Sequence, residues 1–160
     1  MKSLTQWYFA YGSNMSKKQM MKRTGSIPES HVARLEGYRF TFRKVRQTEE
    51  VYADILPAAT KTVLGVAYNC TDYALEQLDI FEGVATGYYC RKTVNVLVEE
   101  TSKLLPAIVY IGSLAFSDIE SQPSQEYLDR ILAGTNDHRI DPKYVQDLLA
   151  LARPLTDGLD

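Results

Sequence analysis

Six short runs rich in aromatic and β-branched residues crowd the first two-thirds of the chain: QWYFAY, YRFTF, VYADI, VLGVAYN, YCRKTVNVLV and AIVYI. Each is bounded by Gly, Pro or polar residues, the usual signature of strands ending in turns. One substantial helix signal interrupts them, and two more follow after residue 120. Regular βαβ alternation is missing and no GxGxxG follows the first strand, which excludes a Rossmann-type sheet. The pattern predicts an α+β fold, a small mixed β-barrel with flanking helices.

Four helices are expected from cap and stripe signals. The first runs over Lys17 to Arg23, with Ser16 as N-cap and Gly25 just past its end. The second covers Tyr73 to Phe81, with Leu75, Leu78 and Phe81 on one apolar stripe. The third spans Gln125 to Ala133, opens at Ser124 and closes on Gly134. The fourth has Asp141 as cap and Pro142 at its first position, where a missing N–H costs nothing. Its Tyr144, Val145, Leu148 and Leu149 face inward.

The chain has 160 residues, 45% hydrophobic and 24% charged, so one globular domain over residues 1–160 is expected. A net charge of −2 argues against a nucleic-acid partner, which would require a basic surplus. RFTFRKVR, Arg39 to Arg46, reads as a strand with Phe40 and Phe42 inward and Arg39, Thr41 and Arg43 solvated. No apolar run reaches the ~20 residues that a membrane helix needs, and the N-terminus lacks a secretory pattern. Cys70 and Cys90 are expected to be small core hydrophobes in a reduced, cytoplasmic protein, and no ligand spacing suggests a metal.

Two stretches are able to carry chemistry. In YGSNMS, a glycine turn joins the first strand to a helix. The first N–H groups of a helix lack internal partners and attract anions, so this corner is either a carboxylate seat or merely a capped turn. It is not a serine-nucleophile elbow, because GxSxG is absent and His31 and His138 are the only histidines. In LDIFEGVATGYYCR, Glu82 falls at the end of the second helix, where the dipole disfavours a carboxylate. Apolar bulk from Phe81, Val84 and Tyr88 would raise its pKa further. The alternative is an exposed helix-end acid. Asp79, three residues earlier, is left outside the catalytic set.

FAYGSNM followed by LDIFEGVATGYY resembles the gamma-glutamylcyclotransferase (AIG2-like) family, and HVARLEGYRFTF, VLGVAY and QPSQEYLDRILAG extend the likeness over Trp7 to Leu151. The resemblance implies a small mixed barrel with flanking helices. It places Tyr8, Phe9, Ala10, Tyr11, Gly12 and Ser13 at a gamma-glutamyl substrate, with Asn14 supporting the turn. It makes Glu82 the acid/base and Tyr89 and Tyr127 pocket walls or hydrogen-bonding groups. YGSN, rather than the YGSL of glutathione-specific relatives or the YGTL of the gamma-glutamylamine branch, implies action on gamma-glutamyl amino acids. Bacterial relatives that remove a gamma-glutamyl group from a biosynthetic conjugate share it.

The implied reaction is an intramolecular aminolysis: the substrate's α-amine attacks its γ-carbonyl, forming 5-oxoproline and expelling an amine. It requires no enzyme nucleophile, metal or organic cofactor. A binding module that kept the pocket without catalysis is the competing expectation from another class. Some members of the family are dimers, so a homodimer is an open expectation.

Overall fold

The computed structural model describes residues 4–153. Six strands form one sheet: β1 (Thr5–Ala10), β2 (Ser30–Val45), β3 (Val51–Thr71), β4 (Tyr89–Val98), β5 (Leu104–Gly112) and β6 (Phe116–Glu120). Four helices accompany them: α1 (Lys17–Thr24), α2 (Asp72–Phe81), α3 (Gln125–Asp137) and α4 (Pro142–Ala152). The neighbour order is β3-β1-β5-β4-β2, and β2 pairs back onto β3, so five strands close a mixed barrel as expected. β1 and β5 run parallel, Tyr8 opposite Ile108, and every other pairing is antiparallel. Closure leaves these strands without the open edge on which sheets aggregate.

The barrel is dominated by one long hairpin. β2 and β3 pair from Ser30–Tyr68 down to Lys44–Val51. The two runs VYADI and VLGVAYN are therefore not separate strands but the two ends of one 21-residue strand. Proline 57 hid the continuity, since a proline has no N–H for a ladder. It is accommodated where the register shifts, with Tyr38 opposite Pro57 and Glu36 opposite Thr62. Gly37, at φ +86°, takes the left-handed turn that lets β2 bend there.

Side chains such as Phe9, Phe42, Ile55, Tyr68, Leu75 and Phe116 are fully buried. Burying each contributes roughly 1.5–3 kcal/mol relative to leaving it in water. Tyr68 also donates to the carbonyl of Met15 at 3.0 Å, tying the barrel to the loop after β1.

Several expectations needed correction. At Phe116–Glu120, where no strand was expected, β6 pairs with β2 before α3 begins. It covers the outer face of RFTFRKVR, so Thr41 is 2% exposed and hydrogen-bonds Glu120, while Arg43 reaches Asp54 at 2.7 Å. Cys90 is exposed and only Cys70 is buried. Phe81 is half out of the core, at 52% exposure. α3 does not stop at Gly134 but continues to Asp137. A Cβ at position 134 would lie 2.5 Å from Met15 Cβ, so this glycine serves close packing rather than termination.

α1 and α4 keep their expected caps. Ser16 accepts from Gln19 N–H, Gly25 is left-handed at φ +81°, and Asp141 accepts from Lys143 N–H. Among the described residues no helix is long and apolar enough to cross a membrane.

Candidate active site

β1 ends at Ala10 and delivers the chain into a 3₁₀ turn over Ser13–Met15, closed by the Met15 N–H to Gly12 carbonyl bond of 3.1 Å. The first N–H groups of such a turn, those of Ser13 and Asn14, have no partner within it. Gly12 is at φ −119° and needs no left-handed geometry. Its missing side chain supplies room instead, since a Cβ would lie 3.2 Å from that of Ala53 and 3.6 Å from the Tyr127 hydroxyl. The N-terminus of α1 itself is occupied: Lys17 N–H donates to Asp137 Oδ2 at 2.9 Å. A carboxylate seat of the kind expected would therefore be confined to the turn.

Across this turn lies a cavity of about 330 Å³. Its floor is formed by Tyr8, Tyr11, Tyr89 and Tyr110, and one rim by Gly12, Ser13 and Asn14. Glu82 enters from the end of α2, with Phe81 and Gly83 on either side, while Tyr127 and Arg130 come from α3. Phe9 and Ala10 do not line it. Strand alternation turns Phe9 away from Tyr8, and both side chains are buried in the core.

Glu82 caps the C-terminus of α2, its backbone still helical at φ −81° and ψ −3°. Gly83 and Gly87, left-handed at φ +64° and +80°, then fold a single 3₁₀ turn that leads into β4. The Glu82 side chain is 16% exposed. Burial pushes its pKa up to about 7, against the opposing pull of Arg23 and of the hydrogen bond from Asn14. Of the three neighbours expected to surround it, Phe81 and Tyr88 line the cavity, Phe81 under the Arg23 guanidinium, whereas Val84 does not; further tyrosines make up the rest of the wall.

Asn14 links loop to carboxylate. Its Nδ2 donates to Glu82 Oε1 at 2.9 Å and to Tyr8 Oη at 3.0 Å. Its Oδ1 accepts from Gln19 at 3.0 Å and from Arg23 at 3.1 Å. Ser13 Oγ accepts from the same Gln19 amide at 2.6 Å.

Tyr89 and Tyr127 hold the backbone carbonyl and N–H of one residue, Ala53. Tyr89 donates to the Ala53 carbonyl at 2.6 Å, and Tyr127 accepts from Ala53 N–H at 3.1 Å. The Tyr89 proton is consumed, whereas the Tyr127 O–H hydrogen has no acceptor among the described residues and is free for a ligand. Burial raises both hydroxyls well above the ordinary tyrosine range, so both stay protonated at working pH.

Asp79 is turned away from the cavity. Arg91 grips both its oxygens at 2.8 Å, and Tyr110 donates to it at 2.6 Å. His31 pairs with Glu29 on the surface, and His138 faces Tyr68 and the Met15 carbonyl. Arg23, Tyr110 and Arg130 were missed from sequence. An arginine in a last helical turn reads as a dipole partner, and only its i, i+4 spacing from Gln19 hinted at a shared face. No cluster of three His, Cys, Asp or Glu that could hold a metal ion occurs among the described residues.

The site is thus a partly buried carboxyl beside a strand–turn–helix corner, walled by tyrosines. The family model described as gamma-glutamyl cyclotransferase, AIG2-like, matches residues 8–130. The chain belongs to that family. Human gamma-glutamylcyclotransferase is 28% identical over 150 residues, covering 90% of this chain and 77% of the human one. Arabidopsis thaliana AIG2-like protein C is 36% identical over 104 residues, 64% of this chain and 56% of that one. A solved gamma-glutamyl cyclotransferase structure superposes with a TM-score of 0.84 at 25% identity, covering 97% of this chain and 92% of the other.

Proposed function

We propose that this protein cyclises the gamma-glutamyl group of a gamma-glutamyl amide to 5-oxoproline and releases the amine, with Glu82 as base and then acid. The observation that carries this reading is the Glu82 carboxyl, 16% exposed, inside the cavity, with burial lifting its pKa to about 7. A carboxylate in solution is too weak a base to deprotonate an ammonium, and one near neutrality is better matched to the task.

The substrate's α-ammonium gives a proton to Glu82, and the freed nitrogen attacks the γ-carbonyl carbon. The new C–N bond closes a five-membered ring and the carbonyl π electrons move to oxygen. Collapse breaks the C–N bond to the leaving amine, which takes the first proton back from Glu82. The surplus proton on the ring nitrogen then passes through the same carboxylate to the released amine, which departs as its ammonium and leaves a neutral lactam. A positioned general base of this kind contributes about 10²–10⁴ in rate. The free N–H groups of Ser13 and Asn14 and the Tyr127 O–H supply donors for the α-carboxylate and the oxyanion. A well-placed oxyanion donor is worth roughly 3 kcal/mol. Curling the glutamyl chain so that amine and carbonyl meet draws on the larger contribution of orientation, up to about 7–11 kcal/mol in favourable systems.

One observation favours a bulky leaving amine over a single amino acid. The cavity shares Glu50, Tyr52, Tyr127 and Arg130 with a second hollow that runs on to Gln122, Ser124 and Glu126. Mass-spectrometric detection of 5-oxoproline across gamma-glutamyl dipeptides and larger gamma-glutamyl amides tests both readings. Turnover of dipeptides alone removes the extended-conjugate reading. Stoichiometric binding without product from any amide removes the enzyme.

A further inference from the structure

Arg23 is a cation in the cavity wall that the reaction as written does not use. It projects from the last turn of α1, 20% exposed, with its guanidinium 4.9 Å above the Phe81 ring. Nη1 donates to Asn14 Oδ1 at 3.1 Å and lies 3.8 Å from Glu82 Oε1. Gln19, one helical turn earlier on the same face, donates to the same Oδ1 at 3.0 Å.

Those contacts bear on orientation. An asparagine amide has one accepting and one donating end, and nothing in its shape decides which way it faces. Here two donors from α1 occupy the oxygen. The NH₂ group is therefore committed to the other side, toward Glu82 Oε1 and Tyr8 Oη. If the amide turned over, an oxygen would face the carboxylate and an NH₂ would face a guanidinium, and both contacts would be repulsive.

We propose that Arg23 is a positioning residue for the cyclisation: it locks the Asn14 amide with its donor end on Glu82 and stands as the counter-charge that keeps the carboxyl available as a base. The proposal rests on the cyclotransferase reading of the site. Arg23 reaches Glu82 partly through Asn14 and partly through space, so its contribution is to the state of the base rather than to substrate contact.

The surroundings leave Arg23 as the nearest cation. Facing Glu82 across the cavity are Arg130 from α3 and Glu50 beside β3, with Arg130 already paired to Glu126 at 2.6 Å and Glu50 bonded to Tyr52. The other titratable groups are tyrosines. Tyr8, Tyr11, Tyr89, Tyr110 and Tyr127 are all held above their ordinary range by burial, and Tyr52 is raised to about 12 chiefly by burial, so each is neutral where Glu82 titrates. Tyr88 completes the wall. Asp54 and Asp79 lie behind Tyr11 and Tyr110, each held by its own arginine.

An opposite charge within about 4–6 Å lowers a carboxyl pKa by roughly 1–3, the lower figure suiting a 3.8 Å pair at a cavity wall. The test compares wild type, Arg23→Met and Arg23→Lys. The Glu82 carboxyl is titrated by carbon NMR on glutamate-labelled protein, its signal assigned by its absence in Glu82→Gln. The kcat/KM pH profile is measured in parallel. In Arg23→Met the Glu82 midpoint and the acid limb both move up by about one pH unit. Turnover at pH 7 then falls about five-fold, as the ionised fraction drops from about one half to about one tenth. KM changes little, and Arg23→Lys recovers part of the shift. An unchanged midpoint in folded Arg23→Met overturns the proposal, as does a loss confined to KM with the acid limb in place. Wild type that yields no 5-oxoproline would remove the reaction, while the titration would still decide whether Arg23 sets the state of Glu82.

Discussion

Asn14 and Glu82 are 68 residues apart in the chain, and the amide nitrogen of one lies 2.9 Å from the carboxyl oxygen of the other. This contact joins the turn after β1 to the end of α2. It places the carboxyl proposed to move protons against the turn proposed to hold the substrate's head, so a change in either is felt at both.

Replacing Glu82 with glutamine keeps an oxygen for Asn14 and removes the proton acceptor. Turnover of a gamma-glutamyl amide is expected to fall about 10²–10⁴-fold. Binding of the same ligand, measured by calorimetry, is expected to persist. Full activity in this variant would remove Glu82 from the chemistry.

The same substitution is expected to stabilise the fold at neutral and higher pH. The folded carboxyl has its pKa raised from 4.5 to about 7, so between those values the folded state binds more protons than the unfolded state. Stability contributed by Glu82 therefore declines as pH rises through that window, and above it the buried charge is a standing cost. Glu82→Gln should match wild type near pH 4 and exceed it by on the order of 1–3 kcal/mol at pH 8. Urea unfolding at the two pH values measures the difference. A wild type that is the more stable of the two at pH 8 would contradict it.

Gly134→Ala is expected to destabilise, although alanine is favoured over glycine in a helix by about 1 kcal/mol. The new methyl would meet Met15 Cβ at 2.5 Å and backbone atoms of Met15 and Ser16 at 2.6 Å. Backbone cannot rotate aside as a flexible side chain would, and overpacking of this kind costs about 1–3 kcal/mol. A lowered melting temperature is the expected reading, with weaker ligand binding because Met15 belongs to the loop. A raised melting temperature would show that the two backbones can separate.

Asp54→Asn tests the ion pair behind the cavity. Asp54 is fully buried, accepts from Ile55 and Gly112 N–H at 2.8 Å, and pairs with Arg43 at 2.7 Å. Asparagine can retain the two backbone bonds, but it leaves Arg43, only 12% exposed, with just the solvent-exposed Asp118 carboxylate at 3.7 Å as counter-charge. Breaking one side of such a pair costs about 3–5 kcal/mol. Urea denaturation should show a midpoint shift of that order, and no shift would mean that Arg43 finds Asp118 or water at little cost.

Local chemistry in the sequence carried much of this structure. The Ser16, Ser124 and Asp141 caps and the Gly25 stop are each decided by a few neighbouring atoms, so they could be read directly. The Glu82 position was legible because a carboxylate at a helix C-terminus breaks an electrostatic rule. What could not be read depends on distant partners. Pro57 looks like a strand break until Tyr38 lies opposite it beside the register shift at Gly37, and Gly134 looks like a helix stop until Met15 is beside it. Thr41 and Arg43 alternate as a solvated face would, and only β6 folding over them makes that face interior. Arg23 and Tyr110 reach the cavity through the barrel's closure, which no local window contains.

The parallel seam between β1 and β5 sets a timetable for the chain's assembly. Tyr8 must find Ile108 beside it, a hundred residues downstream, and Tyr127 must then arrive to grip Ala53. While the ribosome is still making the middle of the protein, β1 has β3 on one flank and bare amide groups on the other. Such long-range pairing folds slowly and leaves the incomplete chain prone to self-association. The cavity is therefore among the last parts of the molecule to exist, and a truncated chain that ends before β5 would have the glutamate and the serine turn but not the walls that Tyr110, Tyr127 and Arg130 supply.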